Sequence, residues 1–228
     1  CSFARARAET AVGERRSVML ADGTHVELNT DTALAWRLKR DVRQLWLERG
    51  EAALSVAADR GRPFLLSANH TDTRLWPGQF DARLRGDSLD LAILSGRAQL
   101  QPRRALFTTA IGRSQAGTAA GGSGPSGLLI TDTGVVDRGL SDIDLRAAVS
   151  WRRGEIVFDG EPLAGAVEEY NRYLTRKLVI GDRRLAGLRL DGRFPTSNPD
   201  GFLTVLNQAF GVRSIGAGLD QIVLIAAK

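Results

Sequence analysis

The chain has 228 residues, of which 43% are hydrophobic and 25% charged. These proportions exclude a disordered polymer and leave room for one large or two small domains. Its 31 basic and 26 acidic residues give a net charge of +5, no apolar run approaches the ~18 residues of a membrane span, and the sole cysteine, Cys1, excludes an internal disulfide.

From about Thr10 to Leu100 the sequence reads as short strands with turn signals between them. Val18, Leu20, Val26 and Leu28 flank Asp22-Gly23, and Asp-Gly between alternating hydrophobics is a strong hairpin signal. Val42–Leu47 and Ala52–Val56 flank Glu48-Arg49-Gly50 in the same manner. Arg62-Pro63 precedes the apolar run Phe64–Leu66. Phe80–Leu84 and Leu89–Leu94 flank Arg85-Gly86-Asp87, and Ser95-Gly96 opens a strand at Ala98–Leu100. Short strands at near-regular spacing predict a mainly β domain of twisted, stacked or solenoid-like antiparallel strands over 1–150. Within it, the Gly/Ala/Ser tract near 114–127 reads as a flexible loop, because so little apolar surface cannot offset chain entropy. Asp142–Val149 reads as a short helix.

Trp151-Arg-Arg-Gly-Glu-Ile-Val-Phe-Asp-Gly160 marks a change of character. Ile156 and Phe158 share one side of a strand and Val157 takes the other. Trp151, Gly154 and Phe158 are the residues predicted to form the joint between two domains. Beyond them, Pro162 suits a first helical turn, and Leu163, Val167, Tyr170 and Leu174 recur at helical spacing. Leu178–Ile180 and Leu188–Phe194 read as strands. Asn198-Pro199-Asp200 starts a helix with the stripe Phe202, Val205, Leu206 and Phe210, which Gly211 ends. Val212–Ile215 and Ile222–Ile225 form a hairpin. The order β-α-β-β-α-β-β predicts a small α+β domain over 151–228.

Reactive chemistry is scarce. Gly122-Ser-Gly124-Pro-Ser-Gly127 matches G-x-G-x-x-G, but a strand-like run follows where a dinucleotide site needs a helix, so no cofactor is expected. His25, His70 and Cys1 lack metal-ligand spacing. No nucleophile elbow or phosphate loop appears, and no enzyme is indicated. Basic and acidic residues are mixed along the chain, at 20 against 17 through Ser150 and 11 against 9 afterwards. That reads as a solvated surface, with no basic stripe interleaved with aromatics to suggest nucleic acid. Trp36, Trp46, Trp76 and Trp151 could serve a glycan platform, or fill core and seams.

Several stretches resemble one known family. Thr10–Asn29, Gly50-Glu-Ala52, Val56-Ala57, Arg62-Pro-Phe64, Ile93-Leu-Ser-Gly96 and Trp151-Arg-Arg-Gly-x-Ile-x-Phe158 are similar, in the family's order, to the periplasmic region of FecR-type transmembrane anti-sigma regulators. The tail from Gly154 is similar to the STN domain of secretins and TonB-dependent receptors, through Asn171-Arg-Tyr173 and Asp200-x-Phe-Leu…Ala-Phe-Gly211. Leu75-Trp-Pro-Gly-Gln-Phe80 departs from the family's usual Leu-Gly-Thr-x-Phe segment.

The resemblance implies a single-pass bacterial inner-membrane protein whose cytoplasmic segment handles an extracytoplasmic-function sigma factor. The present region would lie in the periplasm, act as a monomer, and bind the N-terminal signalling domain of a TonB-dependent transducer of the kind used in iron and siderophore uptake. Docking is expected on the last strand, read as a sheet edge open to strand addition. The residues concerned are Asp220, Gln221, Ile222, Val223, Leu224 and Ile225, with Arg189 and Arg213 nearby. A cell-wall glycan-binding module and a self-assembling module are the rival readings.

Overall fold

The computed structural model describes residues 5–69, 71–101, 119–120, 125–131 and 134–227. The tract expected as a loop near 114–127 falls mostly outside these residues, as do Cys1 and His70. The chain forms two units: Cys1–Thr10 with Arg15–Leu145, and Ala11–Glu14 with Arg146–Lys228.

In the first unit, alternating apolar residues give strands with one oily face each, and such strands must be stacked in pairs of sheets to hide it. The chain meets this need by repeatedly changing sheet. β1 (Ala6–Glu9) lies in one sheet, and β2 (Arg16–Met19) and β3 (His25–Leu28) lie in the other. β4 (Ala33–Leu38) and β5 (Arg43–Arg49) return to the first sheet, and β6 (Glu51–Val56) crosses again. β7 (Phe64–Ala68) and β8 (Thr71–Leu75) return, and β9 (Gly78–Arg85) and β10 (Ser88–Ser95) cross. β11 (Ala98–Gln101) and β12 (Ala119–Ala120) complete the first sheet. β13 (Ser126–Ile130) and β14 (Val135–Gly139) complete the second.

The spatial orders are β1-β4-β5-β7-β8-β11-β12 and β14-β13-β10-β9-β6-β3-β2, seven strands each. Neighbours are antiparallel except β5 and β7. One shared core joins the sheets, with Leu34, Leu45, Phe64 and Leu66 from the first and Leu28, Leu54, Phe80 and Leu91 from the second. Each such buried side chain stabilises the fold by about 1.5–3 kcal/mol relative to exposure.

The expected hairpins at Asp22-Gly23 and Arg85-Gly86-Asp87 form, with Val18 opposite Val26 and Leu89 opposite Leu84. Glu48-Arg49-Gly50 works differently. It carries the chain from one sheet to the other, so β5 and β6 do not pair. Gly50 has φ 84°, and a Cβ there would sit 2.3 Å from Thr32 Oγ1. Trp76-Pro77 lies at a second crossing of this kind, and neither residue is within a strand, so the proline removes no ladder hydrogen bond.

An ion pair closes one end of the sandwich. Arg43 Nη1 donates to Asp22 Oδ2 at 3.0 Å, with side-chain exposures of 2% and 1%. The guanidinium also donates to the carbonyls of Ala57 and Arg62. Asp22 accepts from the Thr24 backbone N–H and hydroxyl, and Thr24 Oγ1 in turn accepts from Ala57 N–H. The charges are therefore satisfied although buried. The hairpin Asp22 belongs to one sheet and Arg43 opens a strand of the other.

Helix α1 (Asp142–Ser150) forms as expected, and the division between units falls within it, at Leu145/Arg146. A 3-10 turn, Trp151–Arg153, follows. The second unit then runs β15 (Glu155–Pro162), α2 (Leu163–Asn171), β16 (Lys177–Ile180), β17 (Arg189–Pro195), α3 (Asp200–Phe210), β18 (Val212–Ala217) and β19 (Gln221–Ala226). This is the β-α-β-β-α-β-β order read from the sequence. β15 pairs with β17, and a separate three-stranded sheet has the order β16-β19-β18.

Four rings fill the core of this unit. Phe158, Tyr170, Phe194 and Phe202 lie with centroids 4.6–6.4 Å apart, in tilted and edge-on arrangements that suit aromatic quadrupoles. The Tyr170 hydroxyl donates to the Pro195 carbonyl, and burial pushes its phenol well above its ordinary pKa. Phe202 and Leu206 of the α3 stripe are buried, whereas Val205 and Phe210 are exposed. The helix lies over β18, the outermost strand of a narrow sheet, and half of the predicted stripe overhangs it.

Replacing Arg43 with Ala leaves Asp22 buried and uncompensated, and should lower unfolding free energy by about 3–5 kcal/mol. Urea denaturation of the purified chain measures this, and a loss below ~1 kcal/mol, the range of an exposed pair, would contradict the stapling role.

Candidate functional site

The three-stranded sheet of the second unit holds most of the residues predicted to meet a partner. Its register sorts them by face. Leu178 lies beside Ile222 and Ser214 opposite Leu224. Leu178, Leu224 and Val212 are buried on the face that the helices cover. The opposite face carries Val179, Val223 and Ile215 in one cross-strand row, then Ile225 opposite Arg213 in the next. Ile215 is 50% exposed and Val179 36%. Leu219, in the β18–β19 turn, is 91% exposed. A strip of branched apolar side chains thus faces outward.

The last strand is not the edge that the sequence suggested. β19 pairs in parallel with β16 on one side and antiparallel with β18 on the other, so its backbone groups are already used. The reading of Asp220–Ile225 as an open template is corrected by this pairing. The final hairpin adds β18 outside β19, and β16, which comes earlier in the chain, fills the other flank. Gln221 remains exposed, Val223 and Ile225 are half-buried on the outer face, and Ile222 and Leu224 face the helices. Asp220 is exposed and its carbonyl accepts from Lys177 N–H.

The two true edges of this sheet differ. On β16, the Asn171 carboxamide donates to Leu178 O and accepts from Leu178 N–H, at 2.8 and 2.7 Å. The amide thereby mimics a neighbouring strand and occupies that edge. The physical role of Asn171, within the Asn171-Arg-Tyr173 stretch, is this plug. On β18 the Asn207 carboxamide donates to Val212 O at 3.2 Å, and beyond that contact Arg213–Ala217 are all exposed. The free edge and the apolar strip therefore meet on β18, at Ile215.

The remaining predicted residues separate from this site. Arg189 lies on β17 in the other sheet, where its Nη1 donates to Gly160 O at 2.8 Å. Arg213 does belong to the site, on the open edge. Trp151 is buried at 3% exposure, and Gly154 ends its turn at φ 79°, donating its N–H to Trp151 O. Phe158 sits in the aromatic core. All three lie within the second unit.

The tryptophans divide into fillers and surface residues. Trp36 packs against the first unit's core. Trp46 and Trp76 are half-buried and flanked by arginines: Arg5 lies 3.9 Å and Arg37 5.9 Å from the Trp46 ring centre, and Arg97 3.9 Å and Arg74 4.8 Å from that of Trp76. Among the described residues, no three His, Cys, Asp or Glu side chains converge as a metal cluster. No described helix is long and apolar enough to cross a membrane.

The architecture is thus a two-sheet β unit with a small α+β unit, and its prominent surface feature is an open strand edge. Comparison with known proteins agrees with the first half of that description. Residues 6–99 match the family described as FecR protein. Two crystal structures of a candidate anti-sigma factor from Parabacteroides distasonis ATCC 8503 share the fold. The 1.65 Å structure has a TM-score of 0.73 at 17% identity, covering 97% of this chain and 99% of that one. The 2.50 Å structure has a TM-score of 0.73 at 18% identity, covering 99% and 100%. At such identity the likeness is one of fold. No curated protein matches the sequence.

With β19 in the centre of its sheet, proline at Val223 should unfold the second unit rather than merely weaken an interface. Circular dichroism and loss of slowly exchanging amides would report it. A folded Val223→Pro protein with wild-type melting would place β19 at an edge after all.

Proposed function

We propose that this chain is the signal-receiving region of an anti-sigma regulator and acts by binding another polypeptide. The FecR-type segment and the fold shared with a candidate anti-sigma factor support a regulatory role of this kind. On this reading the region lies outside the inner membrane and receives the N-terminal signalling domain of a TonB-dependent outer-membrane transducer. The sigma factor is handled by a separate cytoplasmic segment, and iron or siderophore uptake is the physiological setting.

The observation that carries the proposal is the open edge of β18 beside the Val179–Val223–Ile215 row. An unpaired edge offers backbone donors and acceptors in register, and a flat row of branched side chains gives the added strand something to pack on. Arg213 supplies a cation at the rim, where it serves association rate and register more than affinity. Strand addition to β18 also explains why β16 needs its Asn171 plug: with one edge closed, a partner can enter on one side only.

Calorimetric titration of this chain with a transducer signalling domain should give a one-to-one complex. Ile215→Arg should weaken it at least tenfold, which is about 1.4 kcal/mol, while Met19→Arg on the first unit's outer strand β2 should leave it unchanged. Absence of any complex would overturn the partner, and equal loss in both variants would overturn the site.

A further inference from the structure

The arginine–tryptophan groups lie on the first unit and the β18 edge on the second. The face of the first sheet that points away from the core is assembled from strands distant in sequence. Register places Arg37, Gln44, Leu65, Arg74 and Gln99 in one row across β4, β5, β7, β8 and β11. Trp46 lies two residues beyond Gln44 on its strand and so shares this face, and Trp76, just past the end of β8, has its ring against Arg74 and Arg97.

Among the described residues, arginines outnumber carboxylates on the face: Glu9 and Glu48 both pair with Arg7, and Asp72, two residues before Arg74 on β8, accepts from the Ser67 hydroxyl. Among the described residues, no carboxylate pairs with Arg5, Arg37, Arg74 or Arg97. Arg37 Nε is moreover buried without a hydrogen-bond partner. Each indole is flanked by two guanidiniums, which stack on it and lose rotamer freedom before any ligand arrives. Stacked guanidiniums keep their N–H edges free, and those edges match a carboxylate in bidentate fashion. Arg37 and Arg74 stand three strand spacings apart, about 14 Å, with Gln44 between them, its amide nitrogen donating to Ser67 Oγ at 2.9 Å.

We propose that this face binds a carboxylate-bearing glycan, such as a chain containing uronic or muramic acid units. The donor set favours this over other polyanions. Guanidiniums lie against the indole rings, so base stacking of the sort that holds single-stranded nucleic acid has to displace them. The strands bearing the row are paired on both sides, so the face has no unpaired backbone for an acidic peptide to join. Recognition falls to guanidinium and amide side chains, which suit a ligand carrying repeated carboxylates and hydroxyls.

The test is affinity electrophoresis of the purified chain through gels containing polygalacturonate at 150 mM salt, with neutral dextran, polyglutamate and oligo-dT as the other arms. The wild type should be retarded by polygalacturonate and by none of the others. Arg74→Ala/Arg97→Ala should lose at least tenfold in apparent affinity, and Arg74→Gln/Arg97→Gln should do the same while preserving side-chain bulk. Removing two exposed arginines elsewhere, Arg60→Ala/Arg183→Ala, should change it less than twofold. No retardation, equal loss in the two alanine pairs, or stronger retardation by polyglutamate or oligo-dT would overturn the proposal. None of these variants touches β18, so transducer binding should survive in all of them, which separates this surface from the proposed docking edge.

Discussion

Much of the first unit follows from one constraint: most of its described strands turn their larger apolar side chains toward one face. One sheet of such strands would leave that face in water. Two sheets sharing a core remove it, and the connections must then pass between layers. The crossings are where the sequence departs from strand chemistry. At Gly50 there is no space for a Cβ. Trp76-Pro77 lies between strands, where proline removes no ladder hydrogen bond. The Asp22–Arg43 pair acts at the same level, by tying a hairpin of one sheet to a strand of the other through charges with no exit to solvent.

The second unit solves a smaller version of the problem and leaves a remainder. Its helices cover one side of a three-stranded sheet, and four rings fill the space around β15 and β17. Among the described residues nothing covers the other side of that sheet at Ile215, or Leu219 in the turn beside it. An apolar strip beside an open edge is costly to keep unless something pairs with it. Asn171 closes the opposite edge on both backbone groups of Leu178, whereas Asn207 holds only the Val212 carbonyl of β18, and that asymmetry gives the unit a direction from which it can be approached.

Local patterns in the sequence carried much of this. Asp-Gly and Gly-Asp turns announced two hairpins, and the α+β order was legible because helical spacing alternates cleanly with strand runs from Pro162 to Ala226. What local pattern does not carry is lateral order. Ile222–Ile225 reads equally well as an edge or a centre, because a short apolar run has the same periodicity in both, and its position depends on β16, some forty residues earlier. The same limit hid the arginine–tryptophan face. Arg37, Trp46, Arg74 and Arg97 look scattered along the chain, and the basic–aromatic interleaving sought in the linear sequence exists only across strands. Glu48-Arg49-Gly50 failed for a related reason: a turn signal reports a change of direction, not whether the chain returns to the same sheet.

The central claim is that β18, and not β19, receives a partner strand. Amide hydrogen exchange across residues 212–226, measured with and without a transducer signalling domain, addresses it directly. The account predicts that β19 is protected in both states, while 212–217 exchange quickly alone and become protected on binding. Protection appearing elsewhere, with 212–217 unchanged in a saturated complex, would contradict it.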